Sequence, residues 1–336
     1  MHRDLVSDIL SHIRIGSTYK SVLTLNKWYN ARYTPLQPYY VNHLATLIKL
    51  YPDEDWDWSE LSMNPNITWD IICDNPDEDW DWFEISCNPA ITWDIISANP
   101  NFDWDDDGLS DNPNITWDII VNNPDIEWYW KSISCNPGIT WDDISNNLDK
   151  FWSHWKEVSR NPNITWEIIK NNPTLDWDYF YLSSQPDITW EIIRDNPQLG
   201  WNWGGISYNP NIKWDIVVGN PDGCWDWWGI SSNPNIKWDI ISNNLDKDWN
   251  WGIISSHPNI TWDIISNNLD KPWCRWNWKS ISSNPNIGWK IIKNNPDYDW
   301  DWSEVSGNPN ITWDIVVNNP DRKWDFSRLS SNKFEK

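Results

Sequence analysis

The sequence predicts an all-α fold, an α-solenoid of short helix pairs. Three observations carry that prediction: a phrase that recurs at a spacing of 24 residues, helix-capping chemistry inside each phrase, and a tryptophan content that only a repeat explains. Of 336 residues, 35 are Trp, 23 are Pro and only 6 are Phe. At roughly 150 residues per domain the length alone suggests two domains. So biased a composition calls for a search for internal periods first.

The first phrase is Asn-Pro-Asn-Ile-Thr-Trp-Asp-Ile-Ile. Its Trp falls at 69, 93, 117, 141, 166, 190, 214, 238, 262, 289 and 313, with a spacing of 25 once and 27 once. A second phrase, Trp-x-Trp-x-x-Ile-Ser, alternates with it, its first Trp at 56, 80, 104, 128, 177, 201, 225, 249, 276, 300 and 324. These positions, their near matches and a shifted Trp152 absorb all Trp but Trp28, Trp228 and Trp273.

Each phrase reads as one short helix. In the first, Thr68 stands at the N-cap, where its hydroxyl can accept an orphan backbone N–H, and Trp69, Asp70 and Ile71 form the first turn. Thr holds that position in eight of eleven units, the exceptions being Lys213, Lys237 and Gly288. An acid follows the Trp in every unit except at Lys290, where the helix dipole favours negative charge. The helix stops at Asn-Asn-Pro, because proline restrains the residue before it. The second helix is expected from about Trp80 to Ser86, with Trp82 and Ile85 on one face and a small Ser for close helix contact. Helices this short are marginal alone, so each must bury Trp and Ile against the next unit. Stacked at ~8–10 Å per layer, about eleven units predict a rod or superhelix on the order of 100 Å long. A β-solenoid is disfavoured by a Pro roughly every 12 residues.

The 24-residue unit resembles the leucine-rich variant repeat of bacteria, in which Asn-Pro, a Thr cap and a short helix recur at the same length; here Trp replaces the Pro usual after Thr. Over about residues 52–330 the chain also resembles the Trp-rich Asn-Pro-Asn-Ile-Thr-Trp repeat proteins of giant DNA viruses of amoebae. That resemblance implies the cytoplasm of an infected host, or the virion, as the setting.

Residues 1–50 lack the repeat and predict three helices. Val6, Ile9, Leu10 and Ile13 make one apolar helical face, Val22, Leu25 and Tyr29 a second, and Val41, Leu44, Ala45 and Ile48 a third. Three short helices opening a repeat protein resemble an F-box. The matching residues are Leu5-Val6-x-x-Ile9-Leu10-x-x-Ile13 and Val22-Leu23-x-Leu25-Asn26-Lys27-Trp28-Tyr29, with His2-Arg3-Asp4 where that family has Leu-Pro. The resemblance implies that Leu5, Val6, Ile9, Leu10 and Ile13 bind a Skp1-type adaptor, and that the repeats hold the substrate of a ubiquitin ligase. The other reading of the segment is a cap over the first repeat's apolar end. The organisation expected is 1–50 as cap or F-box-like domain, 51–330 as solenoid and 331–336 as tail.

The net charge is −24. Such a surface repels phosphate backbones, which excludes nucleic acid, and favours a basic protein partner. There is no secretory leader pattern and no apolar run near ~18 residues, so no membrane span is expected. Five cysteines without a CxxC read as free thiols. Asp103, Asp105 and Asp107 imitate the start of a calcium loop, but position 12 of that loop would be Asn114 where a Glu is needed, so they are at best a weak metal site. Recurring Asp-x-Asp pairs read as a solvated acidic face. Of five His only His154 and His257 lie in the repeats, and no nucleophile–base or phosphate-binding motif occurs. No cofactor and no enzymatic activity are therefore expected. Aromatics in slots that vary between units are the candidates for partner contact: Phe83, Phe180, Tyr181, Tyr208 and Trp228. The function expected is a protein-interaction scaffold. The rivals are a structural repeat protein without an adaptor, and a carbohydrate-binding module in which Trp faces stack on sugars.

Overall fold

A computed structural model describes residues 42–151 and 153–334. Among these, 25 short helices and no strand occur, and the residues from His43 onward form one compact unit. Each repeat supplies two helices, here termed A and B. The A helix of one unit is Trp69–Asp74 and its B helix Trp82–Cys87.

The A helices begin where the sequence placed them, but the cap works differently. Thr68 is extended at φ −91° and ψ 163° and its hydroxyl takes no cap bond. Thr92, Thr116, Thr165 and Thr312 behave alike. Only Thr140, Thr189 and Thr261 accept a backbone N–H as expected. The start is held instead by the Thr68 carbonyl, which receives the N–H groups of Ile71 and Ile72.

The B helix starts two residues later than expected, at Trp82, with Asp81 as N-cap accepting from Glu84 N at 3.2 Å. Asp57 and Asp301 do the same. The second acid of each Asp-x-Asp pair is therefore a capping group and not part of a solvated face. Trp80 lies in the connecting loop, buried, and its indole N–H donates to the Asn75 carbonyl at 2.7 Å. That bond recurs from Trp56 and Trp104 through to Trp324, so each loop indole has its polar edge satisfied.

Four rows form the core: this loop Trp, the Ile of the first phrase (Ile67, Ile91), the second Ile of the A helix (Ile72, Ile96) and the aliphatic of the B helix (Leu61, Ile85). Burying one such side chain stabilises by about 1.5–3 kcal/mol, and the gain exists only when the next unit is present. The indoles interlock across units. Trp82 meets Trp104 edge to face at 5.5 Å, and Trp69 lies 5.4 Å from the same ring. In the 25-residue unit Phe151 fills this slot, edge to face with Trp130 at 5.6 Å. The slot assigned to Trp152 is thus taken by Phe151; Trp152 itself lies outside the described residues. An additional helix, Leu148–Phe151, delivers that ring.

Two polar devices join each unit to the next. The B-helix Ser donates to its own helix (Ser86 Oγ to Trp82 O, 2.7 Å) and accepts the N–H of the following unit's N-cap (Asp105 N, 3.0 Å). The buried Asn of Asn-Pro donates back across the junction: Asn88 Nδ2 reaches Ser62 O at 2.7 Å and Asn64 O at 3.0 Å.

The same bonds join the last unit to the first. Asp57 N donates to Ser330 Oγ at 3.0 Å, and Asn64 Nδ2 donates to Ser330 O at 2.8 Å and Asn332 O at 3.2 Å. Asn66 adds a bond to the Lys333 carbonyl. Trp56 meets Phe326 edge to face at 5.1 Å. The unit is therefore a closed ring, not the open rod expected from stacking. Helix His43–Leu50, expected as the third helix of the N-terminal segment, fills the A position of the unit that closes it, and His43 stacks on Trp313 at 5.1 Å. Asn332 and Phe334 are buried in the closure, so residues up to 334 belong to the ring rather than to a tail.

Neighbouring B helices pack directly on one another, more closely than the A helices do, which puts the B helices on the inner circumference. Twelve B helices at ~8–10 Å each, with a helix about 10–12 Å thick, leave an opening on the order of 20 Å across. The acids at the A-helix starts, such as Asp70, Asp94 and Asp118, are exposed on the outer row. No helix among the described residues is long and apolar enough to cross a membrane.

A candidate binding face on the inner helices

In every B helix the invariant positions are consumed by the fold. In Trp82–Cys87, Trp82 and Ile85 face the core and Ser86 ties the junction. Three slots remain, occupied there by Phe83, Glu84 and Cys87. The first and third stand one turn apart on one face. The second abuts the preceding B helix, and in three units it is a buried Gly: Gly108, Gly205 and Gly229.

The variable slots fall into arcs. Glu60, Glu84, Asp107 and Asp111 come first. Burial raises the Glu84 carboxyl above its usual range, with Asp81, Glu60 and Asp111 adding to the shift. Lys131 and Lys156 follow on the next two helices, with Arg160 in the turn that ends the second. Phe180, Tyr181, Tyr208 and Trp228 then occupy three consecutive B helices, Tyr179–Ser184, Trp203–Tyr208 and Trp227–Ser232.

The structure brings four of the five expected aromatics together. Phe180 and Tyr181 meet edge to face at 5.2 Å. A Cβ placed on Gly204 would lie 3.6 Å from Phe180 Cε2, and one on Gly229 would lie 2.9 Å from Tyr208 Cδ2. Each ring thus leans over a glycine of the next unit. Burial, with Asp226 beside it, raises the Tyr208 phenol above its usual value. Trp228 is 62 % exposed, where the recurring loop tryptophans such as Trp80 are buried at 8 %. Phe83 is exposed but sits in the acidic arc, four B helices before Phe180.

The cationic arc was not singled out from the sequence. Arg160 lies 5.0 Å and Lys156 5.9 Å over the Tyr181 ring. A cleft of about 410 Å³ opens here, lined by Lys156, Asp178, Phe180, Gly200 and Asn202 among others. A larger cleft of about 650 Å³ lies at the irregular unit, between Trp117, Tyr129, Trp130 and Lys150; Lys150 Nζ lies 4.9 Å over the Trp130 ring. The only advance signal for the cationic arc was its column, the slots that elsewhere hold Ser, Gly or Glu.

The remaining expectations are placed as follows. Asp105 is an N-cap accepting from Gly108 N at 2.8 Å, and Asp103 and Asp107 are exposed. No group of three or more His, Cys, Asp or Glu side chains among the described residues could hold a metal ion. All five cysteines are free; burial, with Asp111 the strongest charge beside it, pushes the Cys87 thiol up to about 12. Leu5, Val6, Ile9, Leu10 and Ile13 lie outside the described residues. No family model, no curated protein and no solved structure matches this chain.

Proposed function

We propose that the ring is a protein-binding scaffold, and that the face from Lys156 to Trp228 is its recognition surface. One observation carries this reading: exposed aromatics stand on three successive inner helices in slots the fold does not use, while the recurring tryptophans are consumed in the core. Aromatic residues clustered on an accessible face are where binding energy concentrates. The loop indoles spend their N–H groups on backbone carbonyls, and the indoles of the B helices meet them edge to face. At the loop tryptophans the stacking face and donor that a sugar would need are thereby occupied, which favours protein over glycan.

The test is the triple variant F180S/Y208S/W228S. These side chains are exposed, so its melting temperature should stay within about 3 °C of the parent. Affinity capture from amoebal lysate, read by mass spectrometry, should recover a set of proteins with the parent that falls at least tenfold with the variant. Equal recovery with an unchanged melt would refute the reading.

Ring closure also favours the adaptor reading of the N-terminal segment over the cap. A closed ring has no apolar end, so residues 1–41 are not needed to cover one. The comparison that tests this removes residues 1–41 and not 1–50, since His43–Leu50 fills a ring position. A Skp1-type adaptor and a cullin captured only by the full chain would support it; their absence from both captures would sink it.

A further inference from the structure

We propose that the inner face takes an extended peptide segment with acidic residues in one half and bulky apolar residues in the other. The inference rests on the binding role just proposed and adds the chemistry of the partner.

The charge of the arc is the first reason. In a chain of net charge −24, three cations stand on two adjacent inner helices and the turn that ends the second. Lys131, Lys156 and Arg160 form none of the ion pairs found among the described residues. On the other side of the ring Lys279 and Arg328 are both engaged by Glu304, at 3.6 and 3.3 Å. Lys156 and Arg160 are held over the Tyr181 ring rather than neutralised, and with Lys131 they remain available to carboxylates. Their order is the second reason, because the cations lead directly into the exposed rings of Phe180, Tyr208 and Trp228. An incoming chain therefore meets positive charge first and apolar surface next. The preceding arc of Glu60, Glu84 and Asp111 repels an acidic segment, so its carboxylates are confined to the cationic helices and the pairing register is set.

Spacing gives the length. Inner helices lie about 8–10 Å apart, and an extended chain advances about 3.3 Å per residue, so about three residues span each step. From Lys131 to Trp228 the face covers five B helices, which about ten to twelve residues would bridge. Apolar side chains are expected at every third position of the second half.

The experiment is selection of random 12-residue peptides displayed on phage against the full chain, with F180S/Y208S/W228S as counter-screen and K156E/R160E as second variant. The counter-screen discards basic peptides held by the acidic exterior. Expected are aromatic-dependent peptides rich in Asp and Glu in one half, whose affinity by fluorescence anisotropy falls at least tenfold with K156E/R160E. Aromatic-dependent peptides that are basic or neutral, or that bind K156E/R160E equally, would overturn this inference and leave the binding role standing. If no peptide depends on the aromatics, both fall.

Discussion

At the residue scale the fold turns on the side chain before Pro in each unit. Asn88 donates to two carbonyls of the preceding unit and accepts from the N–H two residues on, Ala90 N at 2.8 Å. Two units depart from Asn. Gln185 keeps the donor bond to Ser159 O, but its Oε1 is buried without a partner: one extra methylene moves the acceptor out of reach of the turn. His257 reproduces both roles. Its Nδ1 accepts from Asn259 N at 3.0 Å and its Nε2 faces Asn233 O at 3.2 Å, which requires the neutral ring with its proton on Nε2. Burial holds this imidazole below the usual His range, against the opposing pull of the Asn233 and Ser232 carbonyls. The folded state therefore refuses a proton that the unfolded chain takes up below about pH 6.5. The stabilisation is fully present above that pH and is lost as pH falls toward the folded pKa. His257→Asn, which restores the common side chain, should lose less stability than the parent between pH 7.5 and 5 in urea melts. Parallel losses would show that His257 is not the titrating group. The sequence shows His257 before Pro258 where most units have Asn, but not the two-sided bond that makes its charge state matter.

At the element scale, the sequence revealed the existence of both helices but placed the second imperfectly. The A helix was legible because Trp, acid and two Ile fall in the order a first turn needs. The start of the B helix was misplaced because Trp80 looks like the first apolar residue of a helix, when it is a loop residue buried by the neighbouring unit. Its true cap, Asp81, looks in the sequence like surface charge. Thr68 shows the reverse: the right cap residue at the right place, with its expected bond unmade. How closely B helices approach was also hidden, because it depends on one slot. A Cβ on Gly108 would lie 2.6 Å from the Phe83 carbonyl oxygen and 2.8 Å from Ser86 Cβ. Both belong to the adjacent helix and neither can swing aside. Gly108→Ala should therefore force two helices apart and cost about 1–3 kcal/mol. Gly219→Ala is the control, because nothing lies within 4 Å of its added Cβ. At the end of helix Trp214–Gly219 it should be neutral or stabilise by up to about 1 kcal/mol. Denaturant melts giving the same result for both would show that the B helices are not in limiting contact.

At the scale of the whole molecule, closure is the property that no single unit encodes. Each repeat specifies a contact with its neighbour, and a small rotation repeated at every junction decides whether the series ends open or meets itself. The sequence carried one cue, that His43–Leu50 can act as an A helix although it lacks the phrase, and that cue was absorbed into the N-terminal segment. The binding face was legible as a set of unusual aromatics, but their grouping with Lys156 and Arg160 required the inner circumference to be known. Closure itself can be weighed with two asparagines. Asn88 Nδ2 donates to Ser62 O and Asn64 O across an internal junction. Asn64 Nδ2 donates to Ser330 O and Asn332 O across the closure. Each also accepts one N–H of its own turn, from Ala90 and Asn66. Replacing either by Ala removes the same three bonds and strands buried carbonyls, at a cost of about 2–4 kcal/mol. In a closed ring the two variants should agree within about 0.5 kcal/mol, because the two asparagines make the same three bonds. In an open solenoid Asn64 would have no unit before it, and its replacement would lose only the local turn bond. A clearly smaller cost for Asn64→Ala than for Asn88→Ala, in denaturant melts of the full chain, would therefore mean that the ring stands open in solution.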